Sequence, residues 1–429
     1  MITSLNAIFA NGVSRNMPRA AKNALWNWVY IIIILSSFFS VILRSDIDSH
    51  VNLYRIFAVF GFLLLIALGD LSAKACILFV FIVVTSLLSS FIYSSEFYYP
   101  LIFLGHYFFI GCLILFLLRL YKYVAPIVIY QMLKYTAYSA IILFFIEYYF
   151  EFNLPNVADH YEDGTRSSFF WNQNELSSAL VVFIPLMLMI EKNNFIKSWW
   201  LSLIIITFYL NDSKIAFISG IIICLLHLQV ILLGGVGRRF FSIIFLMLIA
   251  AGLVLLADLN PMLKFEYYEI SFEDLLVNPL RAIVNGDLLN DNGGSITSRA
   301  NTIIYSIHAL YESHFIGIGP GNSIAMLNSP SHFLKSAGSI HNLAVQILVE
   351  HGVLAVSLYL YVFVKYVRIY FAKSLEFHEK LYYLMVPAFF LGTAGSSAAA
   401  YSNYYMQTCL VFACLICFGP RKRRMNLFL

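Results

Sequence analysis

Long apolar runs, separated by short polar segments, make up most of the chain. A run of about 20 apolar residues is long enough to cross a bilayer as an α-helix. We count twelve such runs, of which the seventh is short: 26–43, 53–69, 75–93, 100–118, 124–149, 173–190, 198–211, 215–233, 240–257, 341–364, 381–397 and 401–419. The pattern predicts an all-α polytopic membrane protein with about twelve transmembrane helices.

One polar interval is much longer than the others. Residues 258–338 separate the ninth run from the tenth and divide the chain into an N-terminal membrane bundle, 1–257, and a C-terminal bundle, 339–429. Helical periodicity over 298–314 and again over 262–277 predicts two amphipathic helices in this interval. We expect the interval to form a small lid that lies on the membrane surface.

The charged residues give the chain an orientation. Only 12% of all residues are charged, whereas soluble domains carry about 25%. Most of the 27 Lys and Arg residues fall at the termini and in the loops that an even number of spans puts on the same side. The positive-inside rule therefore predicts that both termini are cytoplasmic and that residues 258–338 face outward. No nucleic-acid partner is expected.

Four polar residues of the predicted outer side are candidates for chemistry. Arg166 precedes the sixth span, and Lys214 lies at the tip of the tight hairpin between the seventh and eighth spans. Arg299 opens the 298–314 helix, and His341 opens the tenth span. Arg and Lys bind phosphate groups, and a His can take a proton from a hydroxyl at neutral pH. The set suits an anionic lipid head group at the membrane surface.

Simpler interpretations remain open for the same side chains. Interfacial cations commonly extend toward ordinary lipid head groups, and Asn342 is expected to cap the helix that follows it, besides being a candidate to orient a substrate hydroxyl. The Gly-rich segment 317–323 is either a turn or a backbone cradle for an anion. Asp46 and Asp48 form a rival site, because paired acids can hold a divalent metal ion.

The region from Arg299 through GIGPGN to SIHNLAVQILVEHGVLA resembles the signature region of the O-antigen polymerase and O-antigen ligase family. That family has an Arg ahead of a lid helix, then a Gly-x-Gly turn, here Gly317 and Gly319. A His-Asn pair follows and opens a membrane helix that carries Glu-x-Gly. Including the upstream segments, the resemblance covers roughly residues 160–365.

Two upstream segments resemble the same family. GTRSSFFWNQNELSSAL is similar to its external Arg segment with a following Asn, here Arg166 and Asn174. NDSKIAFISG is similar to its Ser-Arg hairpin, but Lys214 stands where Arg is usual. A Lys neutralises phosphate without making the forked contact of a guanidinium, so its role is open.

The resemblance implies an integral glycosyltransferase of the bacterial inner membrane with its active site on the periplasmic face. Its donor would be a glycan linked to undecaprenyl pyrophosphate, and it would use no metal or other cofactor. His341 would assist deprotonation of the acceptor hydroxyl. Arg166, Lys214 and Arg299 would bind the donor pyrophosphate, with secondary roles for the residues Asn342, Asn174, Gly317 and Gly319.

The acceptor separates the two branches of that family. A polymerase transfers the glycan to another lipid-linked repeat unit, and a ligase transfers it to lipid A core. We favour the polymerase, because the run after His341 reads as a continuous helix and the chain is rich in aromatics, with 28 Tyr and 39 Phe. A flippase for the same lipid, a metal-dependent transferase and a chain-length regulator as partner are left open.

Overall fold

The computed structural model describes most of the chain in separate ranges. These are 19–42, 53–67, 73–93, 98–121, 123–152, 154, 166–170, 172–211, 213–232, 247, 251, 255, 258–264, 269–285, 294–327, 340–370 and 377–394. Within them the fold is mostly helical, with one two-stranded hairpin. All structural statements below refer to these residues.

Helices occupy the positions that the apolar runs predict. They are α1 (Arg19–Ile42), α2 (Leu53–Ala67), α3 (Ala73–Tyr93), α4 (Tyr98–Leu120), α5 (Pro126–Phe150), α6 (Gln173–Ile190), α7 (Asn194–Leu210), α8 (Lys214–Leu232), α9 (Asn278–Asn285), α10 (Gly294–Glu312), α11 (Asn322–Leu327), α12 (Leu343–Tyr370) and α13 (Phe377–Thr393). Ten predicted spans coincide with α1–α8, α12 and α13. The spans predicted at 240–257 and 401–419 lie outside the described residues, apart from three isolated helical positions in the first.

By length and apolar character together, two helical segments of the described chain qualify as membrane spans. They are Pro100–Leu120 in α4 and Ile127–Phe150 in α5. Shorter apolar helical segments of 10–17 residues lie in α1, α6, α7, α8, α12 and α13. The number twelve and the sidedness of the loops therefore stay predictions.

Helix α6 forms the centre of the larger apolar cluster. Every side chain from Glu175 to Leu188 is buried, and α5, α7, α8 and α13 pack around this helix. A helix that is apolar on all sides belongs in the middle of a bundle. Its first turn is capped by Asn172, whose side chain accepts a hydrogen bond from the Glu175 N–H at 2.9 Å, as expected for an Asn at this position.

The helix predicted over 262–277 is wrong for most of its length. Met262–Lys264 (β1) and Glu269–Ser271 (β2) pair as an antiparallel hairpin, and a short π-helix, Glu273–Val277, leads into α9. β-branched residues favour strands, and Ile270 in β2 is one. The periodicity of this stretch therefore indicated the wrong element.

Helix α10 starts earlier than predicted and packs against another helix. It begins at Gly294, so Arg299 lies in its second turn and not at its first residue. It packs along α12, a helix predicted to span the membrane. Ile304 and Leu310 are buried, whereas Ile307 is partly exposed. This part of the interval therefore packs along α12, and its position on the membrane surface stays a prediction.

The Gly-rich turn after α10, residues 315–319, is hydrogen-bonded to α12 at the point where that helix is broken. Gly352 has φ 76° and ψ −177°, a non-helical conformation inside α12. The Val353 N–H donates to the Phe315 carbonyl at 3.1 Å, and the Ile318 N–H donates to the Val349 carbonyl at 2.9 Å. The turn therefore satisfies the backbone groups that the break releases, as broken backbone within a membrane requires.

Two glycines make this junction sterically feasible. A Cβ on Gly317 would lie 2.6 Å from the Gly352 nitrogen, and a Cβ on Gly352 would lie 2.6 Å from the Phe315 carbonyl oxygen. Both positions also have positive φ, 98° and 76°, which side chains disfavour. Both glycines are therefore needed for the close approach of the turn to α12.

We expect Gly352→Ala to destabilise the fold by roughly 3 kcal/mol or more, since backbone strain and overpacking act together. The thermal unfolding temperature and the yield of monodisperse protein in detergent would measure this loss. Gly105→Ala is the matched control, because a Cβ at Gly105 meets nothing within 4 Å. Equal stability of the two variants would contradict the steric account.

Candidate active site at the outer helix ends

His341 lies immediately before α12, next to the residue that caps this helix. The Asn342 side chain accepts a hydrogen bond from the Val345 N–H at 3.1 Å, which is the geometry of an N-cap. His341 is partly buried, while Ile340 before it and Leu343 after it are fully or almost fully buried. The imidazole is therefore held at a fixed helix entrance.

The charge of Arg299 acts on His341. Burial, and after it the nearby Arg299 guanidinium, lower the pKa of His341 from 6.5 to about 4. An imidazole with this pKa is neutral at pH 7 and has a free nitrogen lone pair. It can accept a proton, although it is a weaker base than an ordinary histidine. The sequence predicted these two side chains at one level, and the structure brings them into electrostatic contact.

Arg166 is fixed by two other elements. Its backbone N–H donates to Asn211 Oδ1 at 3.0 Å, and Asn211 Nδ2 donates to the Arg166 carbonyl at 2.8 Å. Its Nε donates to the backbone carbonyl of Glu147, near the end of α5, at 3.2 Å. The Arg166 segment therefore joins the C-terminal end of α5 to the hairpin between α7 and α8.

Lys214 is the first residue of α8, three positions after Asn211. The N-terminus of a helix carries partial positive charge, which disfavours a cation and favours an anion there. A Lys at this position combines its own charge with the helix dipole. Such a place is suited to a phosphate group.

The candidates form two pairs, His341 with Arg299 and Arg166 with Lys214. Residues next to His341, Arg166 and Lys214 belong to one buried apolar cluster. Leu343, two residues after His341, belongs to the same buried cluster as Ala216, two residues after Lys214. Phe169 and Phe170, which follow Arg166, belong to it as well. The structure thus brings His341 within reach of the Arg299 charge and ties Arg166 to the hairpin of Lys214. The adjoining segments belong to one apolar cluster that extends through the bundle.

The secondary candidates Asn174, Gly317 and Gly319 lie in a helix start and in a turn. Asn174 is partly buried at the second residue of α6, where the cap is Asn172. The Gly319 N–H donates to the Glu350 carbonyl at 2.9 Å, and the Gly317 N–H donates to Ser313 Oγ at 3.3 Å. The Gly-rich segment is a turn whose amides are already bonded within the protein, so its glycines contribute packing in place of the anion cradle.

Glu350 belongs to a separate buried polar cluster. Its carboxylate accepts hydrogen bonds from Ser323 Oγ, from Gln346 Nε2 at 3.1 Å and from the Tyr107 hydroxyl at 3.2 Å. His351 packs edge-on against Tyr107, with 4.9 Å between ring centroids. The segment from Glu350 to Gly352 is therefore a break in α12 with a buried polar cluster around it.

A lysine within the fifth predicted span has an acidic partner inside the protein. Lys134 pairs with Glu191 and lies over the Tyr138 ring, at 5.4 Å from its centroid, between α5 and the residue that follows α6. Asp46 and Asp48 lie outside the described residues. Over the ranges given above, no group of three or more His, Cys, Asp or Glu side chains is arranged to hold a metal ion.

Sequence reasoning missed Glu147 and Asn211. Both are almost completely buried, with 1% and 0% of their surfaces exposed. Glu147 is an acid within an apolar run, and such intramembrane ionisable residues are functional candidates by default. Asn211 is the last residue of the seventh predicted span, where it reads as an ordinary helix end. The sequence therefore contained a signal for Glu147, its charge within an apolar run, but none for Asn211.

A comparison with protein families finds one match that overlaps this site. Residues 199–360 match the family model described as O-Antigen ligase. The matched region runs from α7 to α12 and includes Lys214, Arg299 and His341, while Arg166 lies upstream of it. No curated protein matches the chain.

The match supports the O-antigen ligase/polymerase family for this chain, without distinguishing the two branches. Members of that family are bacterial integral membrane proteins and glycosyltransferase-like enzymes that act on lipid-linked glycans. The break at Gly352 also removes one argument for the polymerase branch, because the run after His341 is not one continuous helix.

We expect Arg299→Gln to raise the pKa of His341 from about 4 toward, but not up to, 6.5, because burial is the larger cause of the lowered value and remains. NMR titration of the ¹³C-labelled imidazole in detergent would measure this pKa. Arg281→Gln is the control, since Arg281 is exposed on α9. An unchanged or lower pKa in Arg299→Gln would contradict the proposed proximity.

The same lowered pKa has a consequence for folding. In the unfolded chain His341 takes up its proton near pH 6.5, whereas in the folded protein it does so near pH 4. The unfolded state therefore binds more protons in this window, and stability falls as the pH drops from 6.5 toward 4. Titrations below pH 6 need a parallel check that the protein remains folded.

Proposed function

We propose that this protein is an O-antigen polymerase, or a polymerase of a related surface polysaccharide, in the bacterial inner membrane. It transfers a growing glycan from undecaprenyl pyrophosphate to a terminal sugar hydroxyl of another lipid-linked repeat unit. The observation that carries the proposal is the position of His341 at the capped entrance to α12, close enough to Arg299 for its charge to lower the pKa of the imidazole. Both termini are cytoplasmic and the reaction takes place on the periplasmic face.

His341 acts as the general base. As the acceptor oxygen forms a bond to the anomeric carbon, the imidazole takes the proton of the acceptor hydroxyl. The bond between the anomeric carbon and the pyrophosphate oxygen breaks, and undecaprenyl pyrophosphate leaves with the bonding electron pair. General base catalysis is typically worth 10²–10⁴-fold.

The cations stabilise the leaving group. Arg166 and Arg299 offer forked contacts to pyrophosphate oxygens, and Lys214 at the start of α8 offers a point charge with the helix dipole behind it. Cations positioned in advance stabilise the charge that develops on the leaving oxygen. Because these groups supply positive charge, the chemistry requires no metal ion in this proposal.

Donor binding also tunes the base. The Arg299 charge lowers the pKa of His341 in the protein without substrate. A bound pyrophosphate brings negative charge next to Arg299 and opposes its effect, which raises the basicity of the imidazole. His341 thus becomes a stronger base when the donor is in place, and binding and proton transfer are coupled.

O-antigen ligase is the second candidate function. The description of the matching family favours it, and its chemistry differs only in the acceptor, lipid A core. A flippase is less well supported, because its charged residues would line the interior of the spans instead of gathering at helix ends. A chain-length regulator is a candidate partner of the polymerase.

The acceptor decides between polymerase and ligase. Purified protein would be given lipid-linked repeat units in two tubes, one with and one without lipid A core, and the products separated on a gel. A ladder without lipid A core supports the polymerase. A product that forms only with lipid A core identifies a ligase, and no product in either tube contradicts both.

A further inference from the structure

Arg166 is attached to the protein through its backbone as firmly as through its side chain. Asn211 makes two hydrogen bonds to the same residue, one to its N–H at 3.0 Å and one to its carbonyl at 2.8 Å. This is the pairing that a neighbouring strand makes with one residue. A side-chain amide that imitates a strand fixes the backbone of its partner in both position and direction.

A second anchor holds the same segment from the other side. The Glu147 carboxylate accepts a hydrogen bond from the Ser168 N–H at 2.7 Å, while the Glu147 carbonyl accepts one from Arg166 Nε. Ser168 has φ 55°, a left-handed conformation that a residue other than Gly adopts at a cost. This cost indicates that the surrounding contacts determine the path of the chain here.

The location of Asn211 links this anchor to a second cation. Asn211 ends α7 and donates its N–H to the Thr207 carbonyl at 3.0 Å, and Lys214 begins α8 three residues later. A backbone bond from the Ser213 N–H to the Phe208 carbonyl, at 2.8 Å, closes the hairpin between them. The spacing between the Arg166 and Lys214 backbones is therefore set by one buried amide.

We propose that Asn211 is a positioning residue that fixes Arg166 relative to Lys214, so that the two cations together recognise a pyrophosphate and not merely a monophosphate. This inference rests on the proposed function. Two positive charges at a fixed separation favour a ligand with two phosphate groups, because a single phosphate engages both cations poorly. Preorganised charges bind without the cost of ordering them first.

Binding of two lipids tests the inference without any transfer reaction. Purified wild type, Asn211→Ala and a control variant would be titrated with undecaprenyl pyrophosphate and with undecaprenyl monophosphate in detergent. Asn211→Ala is expected to weaken pyrophosphate binding about tenfold and monophosphate binding much less. A loss of selectivity of this kind is not expected from a general loss of folded protein, which lowers both affinities alike.

The control is the asparagine at the other end of α7. The Asn193 side chain accepts hydrogen bonds from the Phe195 N–H at 2.9 Å and the Ile196 N–H at 3.4 Å, so Asn193→Ala removes an exposed capping amide from the same helix. It is expected to leave the ratio of the two affinities unchanged. An equal change of this ratio in both variants would overturn the inference.

A double-mutant cycle adds a second criterion. In an Arg166→Ala background, Asn211→Ala should change pyrophosphate binding by less than about threefold, because coupled residues are not additive. The same tenfold loss in both backgrounds would overturn the inference. If Asn211→Ala does not fold, Asn211→Asp keeps the volume and the acceptor for the Arg166 N–H while removing the donor to its carbonyl, and it should show the same loss of selectivity.

Failure of this inference and failure of the proposed function give different results. A wild type that transfers glycan while Asn211→Ala keeps its selectivity overturns the inference and leaves the function standing. A wild type that prefers the pyrophosphate lipid but transfers no glycan overturns the function, and the behaviour of Asn211→Ala still decides the inference. A wild type without preference for pyrophosphate overturns the inference.

Discussion

Replacement of His341 by Ala is expected to lower the rate of glycan transfer by roughly 10²–10⁴-fold, the range that a general base supplies. The acceptor hydroxyl would then have no group to receive its proton at the anomeric centre. Binding of undecaprenyl pyrophosphate should persist in this variant, because the cations remain. Initial rates with purified protein and equal amounts of folded material would measure the loss.

A histidine on α10 provides the comparison. His308 is exposed on that helix, and His308→Ala should transfer glycan at the wild-type rate. Retention of full activity in His341→Ala would reject the general-base role. Loss of lipid binding together with activity would instead point to a structural role for the imidazole.

Replacement of Arg166 by Ala is expected to have the second-largest effect, a loss of roughly 10²–10³-fold in the rate of transfer, as for other groups that stabilise developing charge. Arg166→Lys should recover part of this loss, since it keeps the charge but not the forked contact. The backbone bonds of residue 166 to Asn211 do not require the guanidinium, so the segment should remain in place. Rates and undecaprenyl pyrophosphate affinity would be measured side by side.

An exposed arginine serves as the control for charge alone. Arg281 on α9 donates to Asn278 Oδ1 at 3.4 Å at the protein surface, and Arg281→Ala should leave transfer unaffected. If Arg166→Ala and Arg281→Ala behave alike, the role of Arg166 in donor binding is refuted.

The helices were predictable because apolar length alone determines them. The sixth predicted span, 173–190, coincides with α6, and the fourth and fifth lie within a few residues of α4 and α5. In a membrane the backbone must satisfy its own hydrogen bonds, so a long apolar run has few alternatives to a helix. The prediction for 262–277 failed because outside such runs a periodic pattern competes with strand pairing, and Met262–Lys264 pairs with Glu269–Ser271 as a hairpin.

The candidate site was predictable only as far as its cations and its histidine. Arg166, Lys214, Arg299 and His341 are visible in the sequence because charged residues are rare in this chain. The amide of Asn211 and the junction of Gly317 with Gly352 depend on contacts between segments far apart in the chain. No local pattern specifies such contacts, and Asn211 in particular resembles any polar residue at a helix end.

The release of undecaprenyl pyrophosphate during product formation tests the central claim most directly. Purified protein would be incubated with lipid-linked repeat units in the presence of a chelator, and the released lipid pyrophosphate counted against the glycosidic bonds formed. We predict one molecule released for each bond, at a rate that the chelator does not change. Product formation that stops in chelator and resumes with added metal ion, or movement of the lipid across a bilayer without any release, would contradict a metal-independent transferase centred on His341.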